Sequence, residues 1–143
     1  MTIKFAADMK AWSEEAKAKM DTVVRVGTMD IIEEVVRTTP VDTGFMRSTW
    51  AVDLNERSTR PLLDKPEGLS ADGGTLPIDT AAISLAIQAG KAGDVFFVSN
   101  GARYAAMLEF GTSKMAPRAW VRAVMARAQL IFDEAARRIG GAK

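Results

Sequence analysis

The sequence predicts an α+β fold in which a long N-terminal helix and a C-terminal helix pack on a small, mainly antiparallel sheet. Three observations lead to this prediction. Apolar residues recur every three or four positions near both ends of the chain, which is typical of amphipathic helices. Between them, one stretch alternates apolar with polar residues, and a short apolar run ends in a turn, as strands do. The 143 residues suit a single domain, 1–143, with a modest core.

The first helix is predicted over residues 8–38 and ends before Pro40, because the residue preceding a proline avoids the α region. Gly27 is its weak point, since glycine costs up to about 1 kcal/mol relative to alanine inside a helix. At 1.5 Å per residue this helix would be about 46 Å long, which is more than one small domain can cover. We therefore expect part of it, including Trp12 or Met20, to contact another subunit.

A turn and a strand follow the first helix. Asp42 can accept a hydrogen bond within its own turn, and Gly44 permits a positive φ. Apolar and polar residues then alternate, which predicts a half-buried strand over residues 45–54.

The segment 55–78 is rich in proline, glycine and charged residues. It is too long for an ordinary connection in a compact domain, so it has a use or is flexible. We expect a flexible arm that becomes ordered against a neighbouring protein, with Leu62 and Leu63 as its anchor.

A short helix is predicted over residues 79–90, with Asp79 or Thr80 as its N-cap. The same apolar residues leave a strand over 81–87 as the alternative.

The last two predicted elements are a buried strand and a helix. The strand covers residues 95–99 and ends at the turn dipeptide Asn100-Gly101. The helix covers residues 117–139, with Pro117 in its first turn, where proline is well tolerated.

The composition limits the chemistry of the protein. The chain has no cysteine and no histidine, which excludes disulfides and cysteine–zinc sites and removes the commonest general base. An enzyme and a metal site built on histidine or cysteine are therefore disfavoured, although carboxylate or lysine chemistry stays possible. No apolar run approaches the roughly 20 residues that span a bilayer, and the first residues lack the apolar core of a secretory signal. We expect no association with a membrane. The expected compartment is a cytoplasm, or a particle assembled there.

The net charge of +1 is unevenly distributed. From residue 112 to the end of the sequence seven Lys or Arg oppose two acids, which gives +5 and leaves −4 for the first 111 residues. Arg118 and Arg122, four residues apart on the last helix, suggest a nucleic-acid-binding module. Asp133 and Glu134 interrupt that basic stripe, so we favour a solvated helix face and keep nucleic-acid binding as the alternative function.

Two catalytic or ligand-binding interpretations compete for the acids and the glycine-rich turn. The stretch Gly-Thr-Ser-Lys at 111–114 lacks the earlier glycine of a phosphate-binding loop, which argues against a nucleotide site. Asp42 and Glu109 are the acids in motif-like surroundings, and a carboxylate-dependent enzyme would need both in one pocket. We instead expect Asp42 to cap its own turn. We expect Glu109 to accept loop amides or to pair with an arginine: Arg47, Arg103 or Arg118.

Two stretches together resemble a known family. "TPVDTGFMRSTW" at 39–50 is similar to the signature T-P-V-D-T-G-x-x-R-x-x-W, and "VSNGARYAAMLEFGTSKMAPRAWVR" at 98–122 is similar to N-x-x-x-Y-A-x-x-L-E-x-G-x-S-x-x-A-P. Both are features of the HK97 gp10-like phage proteins, which are minor neck or tail-completion components of tailed bacteriophages. The order of helices and motifs also matches, the loop at 55–78 does not, and Arg103 stands where many relatives have proline.

The resemblance implies a virion structural protein that acts at the head–tail junction as a ring, of six or twelve subunits, without catalysis or cofactor. The implied neighbours are the connector or head-closure proteins and the tail tube or tail terminator, with only incidental contact with genomic DNA. The implied location is the neck or tail of the virion, assembled in the bacterial host cytoplasm.

The resemblance also implies that 104–122 is a joint between two elements. Tyr104 to Phe110 would pack beneath the sheet, Gly111 would release the chain, Pro117 would start the last helix, and Glu109 would be the polar pin. The expected structural residues are Asp42, Gly44, Tyr104, Glu109, Gly111 and Pro117. The interface candidates are Trp12, Met20, Leu62, Leu63, Arg118 and Arg122.

Overall fold

The computed structural model describes residues 2–41, 44–69 and 76–141. Its elements are α1 Thr2–Thr38, α2 Phe45–Ser48, β1 Trp50–Leu54, α3 Thr80–Ala89, β2 Phe96–Asn100, α4 Ala105–Phe110, α5 Trp120–Ala126 and α6 Ala128–Gly141. The α+β class is confirmed, with a long N-terminal helix, C-terminal helices and a small antiparallel sheet.

The long helix α1 begins at Thr2, earlier than predicted, and its 37 residues extend about 55 Å. α6 packs antiparallel to α1, along the second half of α1. Arg127, which directly precedes α6, pairs with Glu34, and Arg138 of α6 pairs with Asp30. Gly27 lies at this packing surface: a Cβ on it would come within 2.3 Å of the Phe132 ring. The glycine that looked like a weak point is therefore the place where a large side chain of α6 approaches the α1 backbone.

The sheet has two strands among the described residues, β1 and β2, which pair antiparallel with Val52 opposite Val98. The core lies on one side of it in two clusters. The larger contains Ile31, Val35, Phe45, Met46, Trp50, Ala102, Trp120 and Val124. The smaller contains Ile32, Val52, Ile83 and Ile87, which join α1, β1 and α3.

The strand predicted over 45–54 is wrong in its first half, where the chain forms the helical turn α2. Gly44 adopts a left-handed conformation with φ of 83°, and its carbonyl accepts the Ser48 N–H at 3.0 Å. Phe45 and Met46 are both buried, although consecutive residues of a strand point to opposite faces. A helical turn allows the two neighbours to enter one core, and the strand then begins at Trp50.

The single helix predicted over 117–139 is also wrong, since the structure has two helices that begin only at Trp120. Ala119 has a left-handed φ of 51°, which cannot continue a right-handed helix, so Pro117 lies outside it. The second break is at Arg127, whose N–H bonds the Val124 carbonyl three residues back, at 2.9 Å. The short helix α4 was not predicted at all.

The helix predicted over 79–90 corresponds to α3, and the strand alternative is wrong. Asp79 is the N-cap, because its carboxylate accepts the Ala82 N–H at 3.0 Å. Gly90 follows the last turn, as predicted.

The first part of the predicted arm crosses the outer side of the sheet. The Leu63 N–H donates to the Gly101 carbonyl at 2.7 Å, and the Leu63 carbonyl accepts the Arg103 N–H at 2.9 Å. Arg60 binds both carboxylate oxygens of Asp53. Residues 70–75 lie outside the described residues, so the flexibility of the arm remains a prediction.

Candidate functional site

The joint at residues 104–122 is organised around Glu109, whose side chain is buried with 6% of the residue exposed. Its carboxylate accepts the backbone N–H groups of Val121 and Arg122, each at 3.0 Å. These are the second and third residues of α5, whose N–H groups have no partner within the helix. The residue at the N-cap position, Ala119, has no side-chain oxygen, so a carboxylate from α4 caps α5 in its place.

Arg122 of α5 also donates side-chain hydrogen bonds back to Glu109 of α4. Its Nε donates to the Glu109 carboxylate at 3.0 Å, and its terminal nitrogen donates to the Glu109 carbonyl at 2.7 Å. The same guanidinium lies 5.0 Å from the centre of the Phe110 ring, within the range of a cation–π contact. The partner of Glu109 is therefore Arg122 together with two amides, and not Arg47, Arg103 or Arg118.

Gly111 is required by the geometry of the joint. Its φ is 79°, and a Cβ there would lie 2.8 Å from both the Met115 carbonyl oxygen and the Pro117 nitrogen. Between these contacts the chain makes a tight hairpin, in which the Thr112 N–H donates to the Met115 carbonyl at 2.9 Å. The Gly-Thr-Ser-Lys stretch is thus a hairpin that closes the joint, with Pro117 packed on Gly111 and not inside the helix.

In the first motif, residues 39–50, two side-chain hydrogen bonds connect the strand to the end of α1. The indole N–H of Trp50 donates to the Thr39 hydroxyl at 2.8 Å, and that hydroxyl donates to the Val35 carbonyl at 2.7 Å. Trp50 and Thr39 are both buried, so each finds a partner for a group that would otherwise be costly to bury. Asp42 lies outside the described residues.

The two motifs meet through Asn100 and a ring contact. The Asn100 amide donates to the Met46 carbonyl at 2.7 Å, and its oxygen accepts the Ala102 N–H at 3.0 Å. The rings of Phe45 and Tyr104 lie 6.4 Å apart. Because both motifs also supply the larger core cluster, they form one structural unit, although Met46 and Asn100 lie 54 positions apart in the sequence.

The interface candidates lie in three places. Trp12 is exposed on the first half of α1, with 65% of the residue accessible, and Met20 is exposed shortly after that half ends. Leu62 and Leu63 are half exposed on the arm over the sheet. Arg118 is exposed at the joint, while Arg122 beside it is bound to Glu109.

Several of the basic residues in the C-terminal region form ion pairs. Arg122, Arg127 and Arg138 pair with Glu109, Glu34 and Asp30. The Arg37 guanidinium, followed by that of Arg127, holds the pKa of Glu34 below its ordinary value. In the described part of the 112–141 region, Lys114, Arg118 and Arg137 form no ion pair, and these scattered cations give little support to nucleic-acid binding.

The chemistry available at this site is mainly structural. The Glu109 oxygens accept three donors, all from α5, so this carboxylate links α4 to α5. Within the ranges the structure describes, no acidic cluster could hold a metal ion, and no helix there is long and apolar enough to cross a membrane.

A family model described as "Bacteriophage HK97-gp10, putative tail-component" matches residues 3–111. The chain belongs to the HK97-gp10-like family. The matched region runs from the start of α1 to Gly111, and so includes Glu109 but ends before the hairpin and α5. No curated protein and no solved structure matches the chain.

Membership of the HK97-gp10-like family makes the protein a structural component of a phage tail, and therefore of a virion. Such a component functions by contact with other phage structural proteins, and tail components of this kind are typically not enzymes. This agrees with a site whose polar groups hold helices and strands together.

Sequence reasoning missed several residues of this unit. The sequence pattern places Thr39 where the first helix ends and Asn100 in a turn, but it does not indicate that their side chains link buried elements. The pairing of Arg127 and Arg138 with α1 was also missed. The available signal was weak: a basic last helix and acids on the second half of α1 suggest attraction but do not give the pairs.

Proposed function

We propose that this HK97-gp10-like protein forms a ring of six or twelve subunits in the neck of the phage particle and joins the head to the tail. The ring would contact connector or head-closure proteins on one side and the tail tube or tail terminator on the other. Subunits would be made in the host cytoplasm and would assemble there onto the maturing particle.

The observation that supports self-association is the free half of α1. Among the described residues, no hydrogen bond or ion pair joins residues 4–18 to another element. This half nevertheless exposes 68% of Phe5 and 65% of Trp12, together with half of Met9. Large exposed apolar groups in one row are typical of a protein interface.

The position of this row supports an interface between helices. Phe5, Met9, Trp12 and Ala16, which we call the free stripe, recur every three or four residues. The same spacing continues through Met20 and Val23 to Gly27, which faces Phe132 of α6. The free stripe is therefore the continuation of the surface that packs on α6, extended beyond the point where α6 ends.

Particles assembled without this protein test the joining role. If it joins head to tail, electron micrographs should show filled heads and finished tails as separate objects, and the wild-type protein supplied in trans should restore whole particles. Whole, infectious particles in its absence would refute the proposal. Heads or tails that are themselves incomplete would place the protein at an earlier assembly step and also contradict it.

A further inference from the structure

An apolar groove of about 670 Å³ opens between α1, β2 and the C-terminal helices. Its floor is formed by Ile31, Val35 and Trp50, which are buried. Val95 beside β2 and Met125 on α5 line its sides, and both are more than half exposed. Asp94 is the one charged residue in its lining, so the groove suits an apolar occupant.

The free stripe and this groove cannot meet within one subunit. Both involve α1, which is one continuous helix from Thr2 to Thr38. Trp12 lies twelve residues before Val24, the first groove residue, and hence about 18 Å away along a rigid rod. A subunit on its own therefore leaves both apolar surfaces exposed to water.

We propose that the free stripe of one subunit docks into the apolar groove of the next, with Trp12 as the central side chain. This inference rests on the proposed ring, and it names the two surfaces that make the ring contact.

The sizes of the two surfaces agree. Cavities of about 300–1,000 Å³ accept groups of several rings, so a groove of this volume can hold an aromatic side chain and its apolar neighbours. An aromatic residue has about 150–250 Å² of surface, so the exposed parts of Phe5 and Trp12 with Met9 offer on the order of 400 Å². This is about half of the roughly 800 Å² that each partner buries in a standard interface, so the residues beside these three would supply the rest.

The charges give no preference for or against this docking. On the helix surface Lys19 and Asp8 lie nearest to the free stripe, whereas Lys10 and Lys17 lie on the far side. The groove lining contains one charged residue, Asp94. The docking therefore depends on the apolar surfaces.

The difference between the two surfaces decides the symmetry. A contact between two different patches repeats from subunit to subunit and can close a ring, whereas a patch that pairs with itself stops at a dimer. Pairing of two free stripes would also leave Val95 and Met125 exposed. Docking into the groove covers both surfaces and produces the ring of the proposed function.

Cysteine cross-linking tests the contact directly, because the chain has no cysteine of its own. The double variant Ala16→Cys with Val95→Cys keeps Trp12 in place and puts one thiol on each surface. A bifunctional maleimide added to purified particles should give a ladder of multimers that ends at the ring size. Each single variant should give only monomers, and Ala16→Cys with Leu85→Cys, an exposed position on α3 outside the groove, should do the same.

The outcomes separate this inference from the proposed function. Dimers from Ala16→Cys alone would mean that the stripes pair with each other, and would overturn the docking while retaining self-association. A ladder only with Leu85→Cys would overturn it as well. Monomers in every sample also overturn the docking, and particles that then remain joined by a ring in electron micrographs would leave the proposed function intact.

A second variant measures the contribution of the anchor. Trp12→Ala should lower the cross-linked fraction of the Ala16→Cys, Val95→Cys protein by about tenfold, the effect of removing a central interface residue. Its melting temperature as a free subunit should not change, because Trp12 is exposed there. An unchanged ladder would show that Trp12 is not the anchor and would refute the docking as proposed.

Discussion

The two halves of α1 belong to one helix but have different surroundings. Residues 19–38 pack against α3, α5 and α6, and there Gly27 receives the Phe132 ring. Residues 4–18 bear an apolar stripe of similar spacing that no hydrogen bond or ion pair ties to another described element. Helix formation is thus a local property that both halves share, while burial depends on elements far away in the sequence. The free half remains exposed for that reason.

Truncating a buried side chain of α1 should give the largest difference between the halves. Ile32→Ala should lower the free energy of unfolding by about 2–5 kcal/mol, because Ile32 is buried between β1 and α3 and its removal leaves a cavity. Met9→Ala on the free half should change it by less than about 0.5 kcal/mol. Urea unfolding of the free subunit measures both, and equal losses would show that the two halves are equally packed.

Enlarging a side chain should also distinguish the two halves of α1. Gly27→Leu should destabilise the subunit by about 1–3 kcal/mol, since the new side chain meets the Phe132 ring. Ala16→Leu adds a similar volume to the free half and should leave stability unchanged or slightly raised, since leucine is a good helix former. Thermal unfolding followed by circular dichroism compares the two variants. A stable Gly27→Leu protein would mean that α6 does not pack on α1 as described.

The joint supports the packed half indirectly, because Glu109 positions α5 and α6 against it. Glu109→Gln should cost about 1–3 kcal/mol, since the amide cannot replace the charged hydrogen bonds to Arg122 and the helix amides. Glu14→Gln, on the free half, is the control and should have no measurable effect. If chemical denaturation gives the same stability for both variants, Glu109 does not hold the joint.

The smallest expected effect is a pH dependence of the melting temperature that comes from Glu34 on the packed half. Arg37 first and Arg127 second lower the pKa of Glu34 in the folded state. Glu34 therefore adds stability above its unfolded pKa of about 4.3, and this is lost as the pH falls through the lower folded pKa. Melting temperatures between about pH 5 and pH 3 should fall less in Glu34→Gln than in the wild type. Glu14→Gln should keep the wild-type profile, and an identical profile for Glu34→Gln would contradict the ion pairs.

Some features of the fold could be predicted because their causes are local. The spacing of apolar residues predicts a long first helix, Pro40 accounts for its end near Thr38, and Asp79 caps α3 three residues before the amide that it binds. The left-handed Gly44 follows from the freedom of a residue without a Cβ. Each of these depends only on neighbours within about one helical turn.

Other features failed at sequence level because two distant segments decide them. The strand predicted to begin at 45 gives way to a helical turn, which places both Phe45 and Met46 in a core built by α1 and α5. The helix predicted from Pro117 starts at Trp120, where Glu109 supplies the cap that Ala119 lacks. The spacing of apolar residues, every second residue in a strand or about every 3.6 residues in a helix, contains no information about such distant partners.

The sequence by itself determined the α+β class, the long first helix and the two motifs through which the family can be recognised. It did so because backbone conformation and apolar periodicity are set by nearby residues. Only the tertiary structure decided that Glu109 caps α5, that Gly27 receives Phe132, and that the free stripe and the groove both remain open. These depend on which surfaces meet in space, and in a folded chain that is settled by the packing of all elements together.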